Sequence, residues 1–406
     1  MDRLTGIIGI ILLLGIAYLL SNNKKLIKLN IIGWGLGLQL SFAFIILKTP
    51  VGQFIFSNLN NIIVKLISFA DAGSDFLFQS FVPGIGYHEG LINFAFRALP
   101  VIIFFSSLIS VTYHFGIIQY IVKKISFIME KTMKTSGTET LSVSANIFVG
   151  QTEAPILIGP FISSMTKSEL MAIMVGGFST AAGSVMALYV SWLTEIPNIA
   201  GHLLAASVMS APAALMVAKI IYPETKSTKS IRSLSIKEGS ESTNVMDAIG
   251  KGATNGMKLA ANVAAMLIAF ISIVAMLNFF LGYIGTSLED TLGLLFRPIA
   301  WSMGIPWNEA AIVGTLMGEK IVLTELIAFN DLSKLTQQNL LSERSSIIAS
   351  YALCGFANFG SIGIQLGGIG SMAPNRRNDL SNIVLKAMIG GAIASWLTAS
   401  IAGILI

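Results

Sequence analysis

The chain has 406 residues, of which 54% are apolar and only 12% charged, with a net charge of +5 and a mean hydropathy of +0.76. A soluble surface needs about twice that share of charge, a single cysteine excludes a disulfide scaffold, and this hydrophobicity excludes a disordered chain. Long unbroken runs such as Ile7–Leu20 and Val263–Leu281 stand where a barrel would show ~10-residue alternating segments, which leaves an all-α polytopic membrane protein.

A spanning helix needs ~20 mostly apolar residues. Apolar runs predict eight spans, near 4–21, 30–48, 93–118, 168–193, 200–222, 257–284, 346–368 and 383–405. The first is followed by Ser21-Asn22-Asn23-Lys24-Lys25 and not by a small-x-small cleavage site, so it reads as a retained span. Phe54–Asp75 mixes Lys65, Asp71 and Asp75 with Ile62, Ile63, Val64, Leu66 and Ile67, the pattern of an amphipathic helix lying on the membrane. Tyr222–Asp247 carries Lys226, Lys229, Arg232 and Lys237 among serines and reads as a solvated linker. Met133–Met165 and Ile305–Leu335 are apolar but interrupted by Gly, Pro and charge. Each is too long for a loop and too broken for one span, so each is read as a re-entrant helical hairpin.

Basic residues orient this plan. Segments 22–30, 119–168, 219–258 and 370–386 hold 18 of the 26 lysines and arginines. By the positive-inside rule Lys24, Lys123, Arg232 and Arg376 lie in the cytoplasm and both termini outside. The first hairpin then enters from the cytoplasm and the second from outside. An internal repeat agrees. Gly177-Phe178-Ser179-Thr180-Ala181-Ala182-Gly183-Ser184 and Gly355-Phe356-Ala357-Asn358-Phe359-Gly360-Ser361 each lie in the span that follows a hairpin. Paired interrupted helices in two inverted halves point to a secondary transporter with its site at the midplane.

Gly150-Gln151-Thr152-Glu153-Ala154-Pro155 sits within an apolar stretch, where a carboxylate costs ~2.5–3.5 kcal/mol. Gly150 and Pro155 break the helix there, and Gln151 and Thr152 add an amide and a hydroxyl, so the cluster can read a polar, uncharged ligand. A structural hairpin tip, with Glu153 paired to a lysine or a backbone amide, would give the same pattern. In the second hairpin Glu325 stands among Val322, Leu323, Leu326 and Ile327 with no base nearby in sequence, which suits a ligand role. The adjacent Glu319 and Lys320 read as a structural ion-pair network. Asn358 and Ser361 would face inward from an unwound, glycine-rich stretch, with Phe356 as a flat apolar face; tight packing of small residues is the alternative, and Gly367-Gly368-Ile369-Gly370 is assigned to it. Asn146 and Thr180 are hard oxygen ligands that, with freed carbonyls, could make a cation site. His88, His114 and His202 read as loop or packing residues, and Trp301 and Trp307 as interfacial. No zinc spacing and no phosphate-binding Gly-x-x-x-x-Gly-Lys-Ser/Thr occur. An intramembrane hydrolase lacks its nucleophile motifs, and a channel would show pore-lining repeats in place of two chemically different hairpins.

Gly150–Pro155 and Cys354-Gly355-Phe356-Ala357-Asn358-Phe359-Gly360-Ser361-Ile362-Gly363 resemble the first-hairpin and seventh-span signatures of the concentrative nucleoside transporters. The resemblance covers roughly residues 90–406 and fits the prokaryotic, eight-span type. It implies sodium-coupled nucleoside import across the bacterial inner membrane by an elevator-type movement, no enzyme activity, no organic cofactor, no nucleic-acid partner, and a homotrimer in lipid. By similarity Gln151, Thr152, Glu153, Val185 and Phe356 contact the nucleobase, and Glu325, Asn358 and Ser361 the ribose. Sodium would be held by Asn146 and Thr180 side chains and the carbonyls of Val149 and Ala181; proton coupling is the alternative. The implied domains are a scaffold of 1–118 and 257–284, a transport domain of 119–222 and 285–406, and a linker over 223–256. The chain departs from the family at Thr324-Glu325-Leu326-Ile327-Ala328-Phe329, where Asn-Glu-Phe-Val-Ala-Tyr is usual, and at Gly360 and Thr180, where serine is.

Overall fold

A computed structural model describes residues 2–77, 94–225 and 242–406, and among these the regular structure is entirely helical. Much of the 222–247 linker, with Lys226, Lys229, Arg232 and Lys237, lies outside the described residues, as does His88.

The chain opens with α1 (Asp2–Leu19), α2 (Leu29–Lys48) and α3 (Pro50–Leu77). Proline at the first position of α3 loses no hydrogen bond, and Thr49 Oγ1 accepts from the Gly52 amide (3.0 Å) to cap the helix. α3 covers the expected amphipathic segment; it packs on α2, on α4 (Phe94–His114) and on α10 (Ile199–Ile221), burying Gly52, Ala70 and Ser74. The expected span 93–118 ends at His114. Gly116, at φ +75°, turns the chain by 74° into α5 (Ile117–Met133). This second helix was not apparent from hydropathy because it is amphipathic. Ile118, Val122, Met129 and Met133 are buried on one face, while Tyr120 and Phe127 are exposed on the other, where Lys124 and Lys131 stand over their rings.

The first expected hairpin consists of α6 (Gly137–Ala145), a turn through Asn146–Glu153, a 3-10 turn at Ala154–Ile158 and α7 (Gly159–Ile162). The span expected at 168–193 is two helices, α8 (Lys167–Ser179) and α9 (Gly183–Trp192). α11 (Val245–Gly282) begins before the expected 257, because Asn244 Oδ1 caps it at the Asp247 amide (2.9 Å); the linker therefore stops short of 256. α12 (Leu288–Ser302) leads to the second expected hairpin, α13 (Ala310–Val322) and α14 (Glu325–Gln337). The span expected at 346–368 is again two helices, α15 (Glu343–Leu353) and α16 (Phe359–Met372), and α17 (Arg377–Leu405) closes the chain.

Five stretches among the described residues are long and apolar enough to cross a membrane: α2, α8 with α9, α10, α11 and the segment ending in α17. The bent pair α4–α5 raises this to six, and α1 supplies a shorter apolar helix. α17 packs against α8, α1, α10 and α15, so two of the helices that stop at the breaks, α8 and α15, sit against it in the core. α11 differs: it lies along α4, while Ile268, Ile271, Phe279 and Phe280 stay exposed.

Contacts sort the connections into two ends. At one, Asn22 N donates to Ile221 O (3.0 Å), Lys386 Nζ to Leu20 O (3.1 Å) and Arg376 Nη1 to Ser163 O (3.2 Å), while Lys167 pairs with Asp379 (2.9 Å). Lys219, only 5% exposed, sits here 2.7 Å from Glu139 Oε2 and donates to Ser168 Oγ (2.9 Å). Glu139 also accepts from the Ser136 amide (2.8 Å), closing the capping box that starts α6. At the other end Ser342 Oγ donates to Glu309 (2.9 Å), Arg344 Nη2 to Gly403 O (2.7 Å) and Ser333 Oγ to Trp192 O (2.7 Å).

Candidate functional site

Both interrupted helices break where the repeat places its small residues. α8 stops at Ser179; Thr180 (φ −128°, ψ 157°) and Ala182 (φ −65°, ψ 143°) are extended, and Gly183 restarts the helix. In the other half Cys354 and Asn358 are extended around Gly355 at φ +121°. The two breaks touch. A Cβ on Gly355 would lie 2.7 Å from the Ser179 carbonyl carbon and 2.8 Å from Phe178 O. Gly355→Ala is therefore expected to destabilise the fold by about 1–3 kcal/mol from backbone strain alone. Thermal unfolding in detergent checks this; an unchanged midpoint would mean that the breaks do not press together.

Carboxylate chemistry collects beside this crossing. Thr324 caps α14, which places Glu325 in its first turn, where the helix dipole favours an anion. Glu325 is 3% exposed and accepts from the Tyr189 hydroxyl (3.1 Å) and Asn358 Nδ2 (2.7 Å). Asn358 in turn caps α16 by accepting from the Ser361 amide (2.7 Å). Tyr189 is fully buried and stacked on Phe329 at 4.1 Å. The tip of the first expected hairpin joins this group. Phe148 O accepts from the Gly183 amide (3.1 Å), and Gln151 Nε2 donates to Ser361 Oγ (3.1 Å). The structure thus brings Gln151, Ser361, Asn358 and Glu325 into one hydrogen-bonded chain. Phe356 lies half-buried at the second break, and Val185 is buried one turn before Tyr189 on α9.

Other expected residues sit differently. Glu153 is exposed, and its Oε2 accepts from the Gly150 amide (3.0 Å), the backbone pairing that a structural hairpin tip requires. Thr152 packs on Gly368, where a Cβ would meet its Cγ2 at 2.7 Å, so Gly368 serves close packing as expected. Glu319 and Lys320 form no ion pair with each other among the described residues. Adjacent on a helix, they point apart: Lys320 Nζ donates to Ala352 O (2.9 Å) near the end of α15, while Glu319 Oε2 is buried with no hydrogen-bond partner. The ion-pair expectation is corrected accordingly, and Lys320 instead meets the Ala352 carbonyl in the last turn before the second break. Trp307 is exposed with Arg297 over its ring (4.2 Å), and His202 packs edge-on against Tyr351.

The cation candidates share the first break and tip. Asn146 is fully buried; Nδ2 donates to Ser142 O (3.2 Å), and Oδ1 has no hydrogen-bond partner. A buried acceptor left unmet costs about 1–3 kcal/mol, so this oxygen suits a cation. Thr180 Oγ1 donates to Gly176 O (3.2 Å), which directs its lone pairs elsewhere. Val149 and Ala181 are buried beside them in sequence. No group of three or more His, Cys, Asp or Glu side chains that could hold a metal occurs among the described residues. Neutral oxygens without a carboxylate suit a monovalent ion better than a divalent one.

Tyr189, Gln365 and the Glu139–Lys219 pair were missed in the sequence. Helical spacing could have found the first two. Tyr189 is four residues after Val185, and Gln365 four after Ser361, so each shares a face with a candidate. Glu139 stands in a Ser-x-x-Glu capping pattern.

This helical core, with paired breaks around polar side chains, defines a membrane transport protein. Residues 8–81 and 202–403 match the models for the N- and C-terminal parts of the Na+-dependent nucleoside transporter, and residues 95–195 match a model described as nucleoside recognition. The uncharacterized transporter YutK of Bacillus subtilis is 41% identical over 414 residues, with both chains covered completely. Sodium/nucleoside cotransporter 1 of Rattus norvegicus is 40% identical over 429 residues; all of this chain matches, but it spans only 64% of that relative's length. The structure of CNTnw in an inward-facing substrate-bound state superposes with a TM-score of 0.92 at 38% identity, covering 100% of this chain and 98% of that one. An outward-facing form of CNTnw gives 0.93. The chain belongs to the concentrative nucleoside transporter family, a family of transporters and not of enzymes.

Proposed function

We propose that this protein imports nucleosides across a bacterial cytoplasmic membrane, coupled to sodium, by alternating access. The observation that carries the reading is the chain Gln151–Ser361–Asn358–Glu325. It offers an amide, a hydroxyl and a buried carboxylate to one small polar ligand at the crossing of two broken helices. A carboxylate accepting ribose hydroxyls makes charge-assisted bonds, the stronger kind. Gln151, Thr152, Glu153, Val185 and Phe356 serve the base, and Glu325, Asn358 and Ser361 the ribose. An inward sodium at ~100 mV and a tenfold gradient together supply ~3.7 kcal/mol, enough for roughly 500-fold accumulation of a neutral nucleoside.

The architecture we infer has eight spans and two re-entrant hairpins in inverted halves. The contacts at the two ends support it, because the first hairpin opens at one end and the second at the other. Residues 119–222 and 285–406 form the half that moves, elevator-like, against a scaffold of 1–118 and α11. The homotrimer of this reading rests on the family resemblance. The excess of basic residues at the Lys219 end supports a cytoplasmic position for that end and a periplasmic one for both termini.

Uptake of labelled uridine into proteoliposomes tests the function. It is expected to saturate and to require a sodium gradient; uptake driven by a pH gradient alone would overturn sodium coupling. Asn146, Val149, Thr180 and Ala181 form the ion site in this reading. Sodium then raises nucleoside affinity and nucleoside raises sodium affinity by the same factor. Asn146→Ala is expected to abolish most of that factor while uridine affinity in choline stays near native. Equal loss in both salts would place Asn146 outside the ion site.

A further inference from the structure

Gln365, on α16, is fully buried. Its Nε2 donates to Met174 O on α8 (3.1 Å) and to Gln151 Oε1 at the hairpin tip (3.1 Å). A backbone carbonyl can only accept, so Met174 O dictates that Gln365 turns its NH2 group, and not its oxygen, toward this junction. Both N–H bonds of Gln365 are then committed. The atom of Gln151 that meets the second one has to be its oxygen, which sends Gln151 Nε2 toward Ser361 Oγ. The polarity runs in one direction from the backbone of α8 to the tip of the hairpin. Gly177 makes room for it: a Cβ there would lie 2.7 Å from Gln365 Nε2 and 3.1 Å from Gln151 Cβ.

We propose that Gln365 is a positioning residue that fixes the Gln151 amide, so that Gln151 offers a nucleobase its second N–H as a donor. Ser361, whose oxygen already accepts from Gln151 and whose amide is used by Asn358, keeps its O–H for the ribose. The base edge that meets the free Gln151 N–H is therefore one that carries an acceptor, such as a ring carbonyl. Without Gln365 the Gln151 amide can rotate by half a turn at little cost, and its oxygen then opposes that carbonyl. The inference rests on the proposed contact between Gln151 and the base.

A double-mutant cycle tests it. Gln365→Met keeps the volume and removes both donors. Uridine affinity, measured by calorimetry on the full chain in detergent with sodium, is expected to fall about threefold to twelvefold in Gln365→Met, within the range of one neutral hydrogen bond. In a Gln151→Ala background the same substitution is expected to change it less than about twofold, since the two residues act as one unit. Sodium affinity without nucleoside is expected to stay close to native, which a general loosening of α16 would not allow. Gln365→Leu carries the same expectations if Gln365→Met does not fold. Independent, multiplicative effects of the two substitutions, or native affinity in Gln365→Met, would overturn the positioning role alone. A native protein that binds no nucleoside would overturn the functional reading and this inference with it.

Discussion

Lys219→Met is expected to destabilise the protein by about 3–5 kcal/mol, the cost of leaving a buried charge without its partner. Lys219 and Glu139 are 5% and 1% exposed and 2.7 Å apart, so neither can turn to water when the other is lost. Glu224 lies 3.7 Å from the same ammonium and would become a second carboxylate without that cation. The network ties the end of α10 to the starts of α6 and α8, through Ser136, Ser168 and Thr166. Loss of the cation therefore loosens the base of the first hairpin and the entry to the first broken helix together. The double variant Glu139→Gln with Lys219→Met is expected to recover part of the loss, because the more deeply buried carboxylate then needs no counter-charge while Glu224 still loses the cation. Thermal unfolding of both proteins in detergent, followed by tryptophan fluorescence, is the measurement. A single variant as stable as native, or a double variant no better than the single, would show that the pair does not hold this end together.

Glu325→Gln is expected to weaken nucleoside binding roughly 10–100-fold, since hydrogen bonds to a charged group are worth ~1.5–3 kcal/mol. Tyr189 and Asn358 already donate to its two oxygens at 3.1 and 2.7 Å, which holds the carboxylate in one orientation for further donors. An amide in its place must turn an NH2 group toward one of these partners and loses an acceptor. Free uracil, which has no ribose, is expected to bind poorly to native protein and variant alike. Calorimetry with uridine and uracil separates the cases. Equal uridine affinity in both proteins would remove Glu325 from the ligand site, and equal loss for uracil would show that it acts on the base.

Composition by itself determined that the chain is a helical membrane protein, because 12% charge cannot clothe a soluble surface. Glycine and small polar residues in the two related motifs determined where α8 and α15 stop, since local chain flexibility is written in residue type. Lone polar residues in apolar runs marked Gln151, Glu325 and Asn358 for the same reason: their cost in a membrane has to be met by a role. Only the tertiary structure decided which of these residues meet. The pairing of Glu325 with Tyr189, 136 residues away, and of Gln151 with Ser361, 210 residues away, depends on how two halves of the chain pack. It likewise decided that Glu153 turns back to its own loop. Nearness in sequence misled for Glu319 and Lys320, because adjacent positions on one helix point about 100° apart and face different surroundings. Hydropathy could not reveal α5, where Lys123, Lys124, Glu130 and Lys131 stand among the apolar residues and lower the average along the chain. Nor could it reveal the Lys219 pair, since a charge near a helix end reads as solvated until packing closes over it.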